Sequence, residues 1–335
     1  DARRVFEYFK VCGYGEKISV HTHIQIVFQN AGHLLGSAIT EVFVHGQRQT
    51  KKIVFSGDLG RYQQAQLQEP ASIEQADVLF VESTYGNKSN SFDDPSDDLT
   101  RIVNETFDRG GVLLIPAFAV GRTQGLMYYL RKLMKEDKIP DVPVYVDSPM
   151  AISATYLFYK YPTYHIMDAS RQELAQEIEN NLLVFVKSSD QSKTLNSVKS
   201  RAIIISSSGM MTGGRILHHM YHRLKNLADT ILVAGYQAEG TRGRDLLDGK
   251  ETIKIFGEYV PVKCNVEYMA SMSGHADKEE LFTWMRNFVD KPKLTFCVHG
   301  EGENLDIYAQ HIRDTFGWNV MVPEYLESVT LFSGI

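Results

Sequence analysis

Short β-branched runs alternate with longer helical patterns along the whole chain, and that alternation limits its possible folds more than any other feature. Strands are predicted over 24–28, 39–44, 52–55, 78–81, 112–115, 144–146, 183–186, 202–205, 231–234, 262–269 and 294–298. Helices are predicted over 97–107, 123–134, 151–159, 171–179, 215–225, 278–289 and 304–316. A strand that hands over to a helix must cross a sheet face before the next strand, so the class is α/β layering. Asp277, with Glu280 three residues on, supplies a two-way capping signal for the helix from 278. The 264–269 run alternates polar and apolar residues, so one face of that strand is wet.

At 335 residues the chain has room for about two domains. It shows no repeat and no linker. An acidic stretch at 87–98 and a Gly/Arg/Asp-rich stretch at 236–251, both read as loops, bracket a β-α alternation. That middle part reads as one domain inserted into another. No apolar run approaches the roughly 18 residues a membrane span needs, and no signal peptide is recognisable. Cys12, Cys264 and Cys297 form no Cys-x-x-Cys pair, which excludes a disulfide framework and points to a reducing, cytoplasmic setting. A net charge of −6 argues against a protein that coats nucleic acid, but leaves room for a nuclease with a locally basic channel.

Five short patches carry the chemistry. Each begins where a buried-looking strand ends, the place where α/β proteins put reactive side chains. They are Ala31-Gly32-His33-Leu34-Leu35-Gly36-Ser37, Phe55-Ser56-Gly57-Asp58-Leu59-Gly60, Phe80-Val81-Glu82-Ser83-Thr84-Tyr85-Gly86, Ser271-Met272-Ser273-Gly274-His275-Ala276-Asp277 and Cys297-Val298-His299-Gly300-Glu301. Imidazoles and a carboxylate from separate strand ends are the ligand types a Zn²⁺ site uses, and a carboxylate can bridge two ions. His218 and His222 share a helix face but lack the zinc-protease glutamate, and read as a solvated face. His21-Thr22-His23 lacks a third partner and reads as decoration of an edge strand.

The middle part is built for an anion. Ser206 through Arg215 is a Ser- and Gly-rich stretch between a strand and a helix, where backbone N–H groups suit phosphate. Ser207, Ser208, Gly213, Gly214 and Arg215 are the candidate contacts there, with Arg122 at a similar junction. No Walker or Gly-x-Gly-x-x-Gly motif occurs, which disfavours a nucleotide cofactor. Residues 201–254 hold eight Lys/Arg against five Asp/Glu, a bias that suits a groove following a polyanion.

In this order, the five patches resemble the β-CASP branch of the metallo-β-lactamase superfamily, RNA-processing nucleases related to the cleavage and polyadenylation endonuclease. The resemblance extends to 115–122, Val146-Asp147-Ser148-Pro149-Met150 and Gly235-Tyr236-Gln237-Ala238-Glu239-Gly240-Thr241. It implies a partial αββα metallo-β-lactamase domain made of 1–94 and 252–335, with a parallel α/β β-CASP domain inserted as 95–251. Strands in 20–55 and 262–298 would then share one core.

The resemblance also implies roles. His33, Asp58 and His299 become metal ligands, with Asp58 bridging two zinc ions. His275, oriented by Glu82, becomes the general acid, flanked by Ser273 and Gly274 as substrate contacts. Histidine at 299 points to RNA rather than DNA. The substrate would be RNA, single-stranded, with no membrane partner. The family's His-x-His-x-Asp-His motif does not occur in the sequence. The expectation is therefore a chain lacking the N-terminal portion of its domain, inactive by itself and holding zinc partially or not at all, whereas the complete enzyme holds two ions. Apolar surface left open at that edge would favour a homodimer. The rival reading is a catalytically silent RNA-binding or scaffold paralogue.

Overall fold

A computed structural model describes residues 2–89, 94–167, 170–300 and 302–333. The chain divides into two compact units, Asp1–Ser89 with His275–Ile335, and Asn90–Gly274. The first unit opens with β1 (Lys17–His21), β2 (Ile24–Asn30), β3 (Ala38–His45), β4 (Thr50–Phe55) and β5 (Val78–Glu82). The second carries α1 (Pro95–Asp108), β6 (Leu113–Pro116), α2 (Arg122–Lys135), β7 (Val144–Asp147), α3 (Pro149–Lys160), α4 (Arg171–Glu179), β8 (Leu183–Phe185) and α5 (Ser189–Thr194). It continues through β9 (Ile203–Ser206), α6 (Ile216–Arg223), β10 (Thr230–Ala234), α7 (Arg242–Leu247), β11 (Thr252–Ile255), β12 (Glu258–Pro261) and β13 (Asn265–Met269). The chain then returns to the first unit as α8 (Lys278–Met285), β14 (Leu294–Val298), α9 (Glu303–Phe316) and β15 (Val320–Met321). Among the described residues no helix is long and apolar enough to cross a membrane.

The first unit has one seven-stranded sheet, ordered β1-β2-β3-β4-β5-β14-β15. β1 through β4 run antiparallel; β4, β5, β14 and β15 run parallel, with β14 matching β5 residue for residue from Leu294↔Val78 to Val298↔Glu82. Alternation sends Ile39, Val54, Leu79, Val81 and Cys297 to one face, where Leu281, Trp284 and Met285 of α8 and Tyr308, Ala309 and Ile312 of α9 cover them. The opposite face carries Ile26, Val42 and Ile53, half-buried, and a stack of Phe55, Phe80 and Phe296 with successive ring centroids 4.6 Å apart. Phe55 is 39% exposed there.

The second unit is a six-stranded sheet, ordered β13-β10-β6-β9-β7-β8, with every neighbouring pair parallel. Both faces are covered, so its strands read as continuous apolar runs. Leu113, Ile115, Ile203 and Ile205 pack against α1 to α3; Leu114, Ile204, Ile231 and Val233 pack against α6 and the β11–β12 hairpin.

The domain boundary expected at 251/252 is corrected to 274/275. β13 lies in register with β10 from Thr230↔Asn265 to Ala234↔Met269, and Ile253, Ile255 and Val260 of the hairpin are buried with Ile216 and Met220 of α6. Residues 252–274 thus belong to the inserted unit, and of the strands predicted within 262–298 the one at 294–298 joins the core of 20–55. The stretch 236–251, read as a loop, contains α7, capped by Thr241 accepting from the Arg244 N–H. Residues 90–93 of the acidic stretch lie outside the described residues. The β11–β12 turn is Phe256-Gly257, with φ of 51° and 89°. Such two-residue turns favour Asn-Gly, and a phenylalanine in the left-handed region costs about 1 kcal/mol.

A polar knot lies at the end of β7. Asp147 is fully buried; Oδ1 accepts from Arg215 at 2.7 Å, and Oδ2 accepts from His219 Nε2 at 2.7 Å and from Ser192 at 2.5 Å. Burial alone would raise its pKa, but the donors from His219, Ser192 and Arg215 outweigh it and hold the carboxyl below its usual value. A lowered pKa stabilises the fold above the unfolded-state value, and the contribution disappears as pH falls through the folded one. Asp147→Asn should cost about 3–5 kcal/mol at neutral pH, the penalty for leaving a buried cation unpaired. Denaturant unfolding should also find a smaller acid-side loss of stability than in the wild type. Equal midpoints at pH 7 would contradict this reading.

Candidate active site

Each of the five strand-end patches is held by its own local bonds. After β2, the Asn30 side chain accepts from Gly32 N–H at 3.0 Å, and the Ser37 hydroxyl accepts from His33 and Leu34 N–H at 3.2 and 3.1 Å. Gly32 has φ +69°, and a Cβ there would meet Gln68 O at 2.7 Å, so the loop needs glycine. After β4, the Ser56 hydroxyl accepts from Glu82 N–H at 3.0 Å, and Asp58 follows two residues on. Glu82 is the last residue of β5 and is 1% exposed. Ser83 donates to Val298 O at 2.8 Å, tying β5 to β14, beyond which His299 sits in the left-handed region at φ +57°.

A main-chain seam joins the loops. Leu59 N–H donates to Glu82 Oε1 at 2.5 Å, Gly60 N–H to Ala31 O at 2.8 Å, and Ala276 N–H to Leu59 O at 2.8 Å. Isolated bridges pair Gly32 with Leu59 and Gly60 with His275. Behind them, Glu280 accepts from Asp277 N–H at 2.9 Å, Tyr62 N–H at 2.9 Å and Arg61 Nε at 3.2 Å. Burial raises the Glu280 pKa, although these partners pull it down. The capping box was legible in the sequence; its second duty, anchoring the Arg61–Tyr62 segment, was not. Ser56 and Gly60 carry structural duties in their patch for which small size is the signal in sequence.

The five side chains converge. His275 Nδ1 lies 3.1 Å from Glu82 Oε2 and 3.4 Å from Oε1. His299 Nδ1 lies 3.0 Å from Asp58 Oδ1, and His33 Nε2 lies 3.9 Å from Asp58 Oδ2. The rings of His33 and His275 are 4.3 Å apart at their centroids, those of His275 and His299 6.0 Å. Thr84 Oγ1 donates to His299 O at 3.2 Å. Donor atoms from His33, Asp58 and His275, and from Asp58, Glu82 and His299, fall within 4.8 Å of one another. Imidazole nitrogens beside both oxygens of one carboxylate are donor types that suit a divalent cation of the zinc type.

The remaining candidates lie in the second unit. Arg122 begins α2 and donates to Ala234 O. Ser207 Oγ is buried without a hydrogen-bond partner. Ser208 Oγ accepts from Thr212 N–H at 3.1 Å and donates to Gly213 O at 3.3 Å, and Gly214 has φ +86°. Ser273 and Gly274 close the unit directly ahead of His275. Arg215 departs from expectation, because its guanidinium turns inward. It donates to Asp147 at 2.7 Å, to Val186 O at 2.9 Å and to Lys187 O at 3.1 Å. Its charge supports the loop rather than reaching out from it.

Two family descriptions match the chain: a Beta-Casp domain over residues 123–246, within the second unit, and a Zn-dependent metallo-hydrolase RNA specificity domain over 259–323, which straddles the boundary. The chain is 32% identical over 308 residues to the ribonuclease TTHA0252 of Thermus thermophilus, covering 91% of this chain and 69% of that protein. It is 31% identical over 329 residues to an RNase J-like protein of Methanocaldococcus jannaschii, covering 96% and 75%. It is 32% identical over 330 residues to the transcription termination factor FttA of the same archaeon, covering 94% of this chain but about half, 51%, of that protein.

Proposed function

This chain belongs to the β-CASP branch of the metallo-β-lactamase superfamily, a family of metal-dependent ribonucleases, and on that premise we propose how its residues divide the work of RNA phosphodiester hydrolysis. His33, Asp58 and His299 would be this chain's ligands for zinc, and would hold it only in part. His275 is the general acid, and Glu82 orients it. The observation that carries this division is the pair of contacts 3.0 Å from His299 to half-buried Asp58 and 3.1 Å from His275 to buried Glu82. One carboxylate faces outward between two imidazoles. The other is walled in, with one oxygen on a backbone N–H and one on a ring nitrogen.

Zinc, when bound, supplies a nucleophile at neutral pH and neutralises the scissile phosphate. The protein's own part is proton handling. A carboxylate only accepts, so Glu82 holds one proton of His275 on Nδ1, and as a general acid the ring must carry a second proton on Nε2, which it delivers to the leaving oxygen. Thr84 and Ser83 fix the turn that presents His299. The Ser206–Gly214 loop and Arg122 would follow the backbone of a single-stranded substrate, supported by the local surplus of positive charge. The three unpaired cysteines support a cytoplasmic setting. The half-exposed apolar face with Phe55 supports a homodimer of this chain, which light scattering reads directly.

The test is metal content. A catalytic zinc takes at least three protein ligands, and this chain offers three donors for two ions. Equilibrium dialysis should find no more than about one zinc per chain, held weakly. His299→Ala should abolish that binding. Two tightly held ions on this chain, or undiminished binding after His299→Ala, would overturn the ligand assignment.

A further inference from the structure

We propose that the exposed edge where α6 meets the β11–β12 hairpin is a stacking platform for bases of single-stranded RNA. The inference rests on the ribonuclease reading above and adds a subsite to it. Phe256 at the hairpin tip is 55% exposed and packs its ring 4.7 Å from that of His218 and 6.2 Å from that of Tyr221. The ring of His222 follows 5.6 Å from Tyr221, and Lys225 Nζ sits 4.5 Å from the Tyr221 centroid. On the strand behind, Tyr259 is 69% exposed, with Lys254 as its cross-strand partner and Lys254 Nζ 5.7 Å from the ring. Arg242 donates both to Lys254 O and to Met211 O, so this edge is tied to the Ser- and Gly-rich loop.

Three features favour nucleic acid over an apolar protein partner. Rings alternate with ammonium groups rather than merging into a continuous greasy patch, the arrangement used to stack bases while neutralising phosphates. Two ammonium groups, on Lys225 and Lys254, outweigh the adjacent carboxylate of Glu258, which accepts from the Tyr221 hydroxyl at 2.8 Å. Phe256 also occupies a left-handed turn position that suits asparagine or glycine, and its exposed ring contributes little burial in return. Only unpaired bases expose π-faces, so the strand must be single.

The experiment is fluorescence anisotropy of a labelled oligouridine of about a dozen nucleotides, titrated with the whole chain in EDTA so that nothing is cleaved. Phe256→Asn should weaken binding about tenfold, the scale of one lost stack, while the melting temperature holds or rises because asparagine accepts the left-handed turn. Phe256→Trp should bind as the wild type does. Lys225→Gln should lower the slope of log affinity against log salt by about 0.7, one phosphate contact. If the wild-type chain binds and these variants bind equally well, the platform is refuted and the RNA reading survives. If the wild-type chain binds no oligouridine, the RNA reading fails for this chain and takes the platform with it. If Phe256→Asn alters self-association in sedimentation but not RNA binding, the edge is a protein interface and the proposal is overturned.

Discussion

In an RNA-cleaving preparation that carries this chain, His275→Ala should lower turnover about 10²–10⁴-fold and leave the zinc content unchanged. The expectation follows from where the ring is anchored. His275 Nδ1 faces Glu82, whose other oxygen takes the Leu59 N–H, and Glu82 is 1% exposed. That buried clamp sets the ring's orientation without help from a metal. His299 differs in kind, because its Nδ1 faces the outward carboxylate of Asp58. His299→Ala should lose metal and activity together. Glu82→Gln keeps an acceptor but loses its charge, and should cost about 10–100-fold, as removal of an orienting partner does. The opposite outcome is equally readable. His275 also lies within donor range of His33 and Asp58. If His275→Ala stripped zinc, those three residues would be a ligand set and the acid would have to be sought elsewhere.

Gly60→Ala should cost about 3 kcal/mol or more and should also abolish zinc binding. A Cβ on Gly60 would stand 1.9 Å from Gly32 O, 2.1 Å from Gly32 C and 2.7 Å from His33 N, all main-chain atoms that no rotamer change can move. Relief has to come from parting the two loops, and the loop that moves carries His33. Gly111→Ala makes the fitting control. Its Cβ would stand 1.8 Å from Ala228 O, a comparable clash in the other unit. That variant should lose similar stability while the folded fraction keeps its metal affinity. Denaturant midpoints and zinc titrations on both variants separate the effects. Zinc affinity that survives in Gly60→Ala would show that the ligand loops are not held through this seam.

Much of the fold was legible because β-branched runs and capping residues are local signals. The strand at 294–298 and the helix at 171–179 match the observed elements, and Asp277 caps α8 as expected. The misplaced boundary had a physical cause. Alternation along 264–269 announces a half-wet strand, but nothing in it says which sheet that strand joins; pairing with β10 decides that. The β11–β12 hairpin was missed because its turn is Phe-Gly rather than Asn-Gly. Short α7 was hidden by the glycine and charge around it.

The site divides along the same line. His33, Asp58, Glu82, His275 and His299 could be picked out because strand ends are where loops begin, and five small-residue patches at such ends are improbable by chance. Arg215 marks the limit of the same signal. A basic residue at a strand-to-helix junction looks available in sequence, and only the buried Asp147 beneath it shows where the charge is spent.

The seam through Leu59 and Gly60 bears on how such a centre can change over time. Apart from the Glu82 carboxylate, its links are N–H and C=O groups, which nearly every amino acid supplies. Away from Gly32 and Gly60, side chains bordering the histidines and the aspartate can therefore be exchanged for larger, smaller or more polar ones without breaking these links. The walls are open to variation while the chemistry stays fixed. A lineage built on this scaffold can acquire a taste for a new RNA by altering those walls, with no need to reinvent the cut.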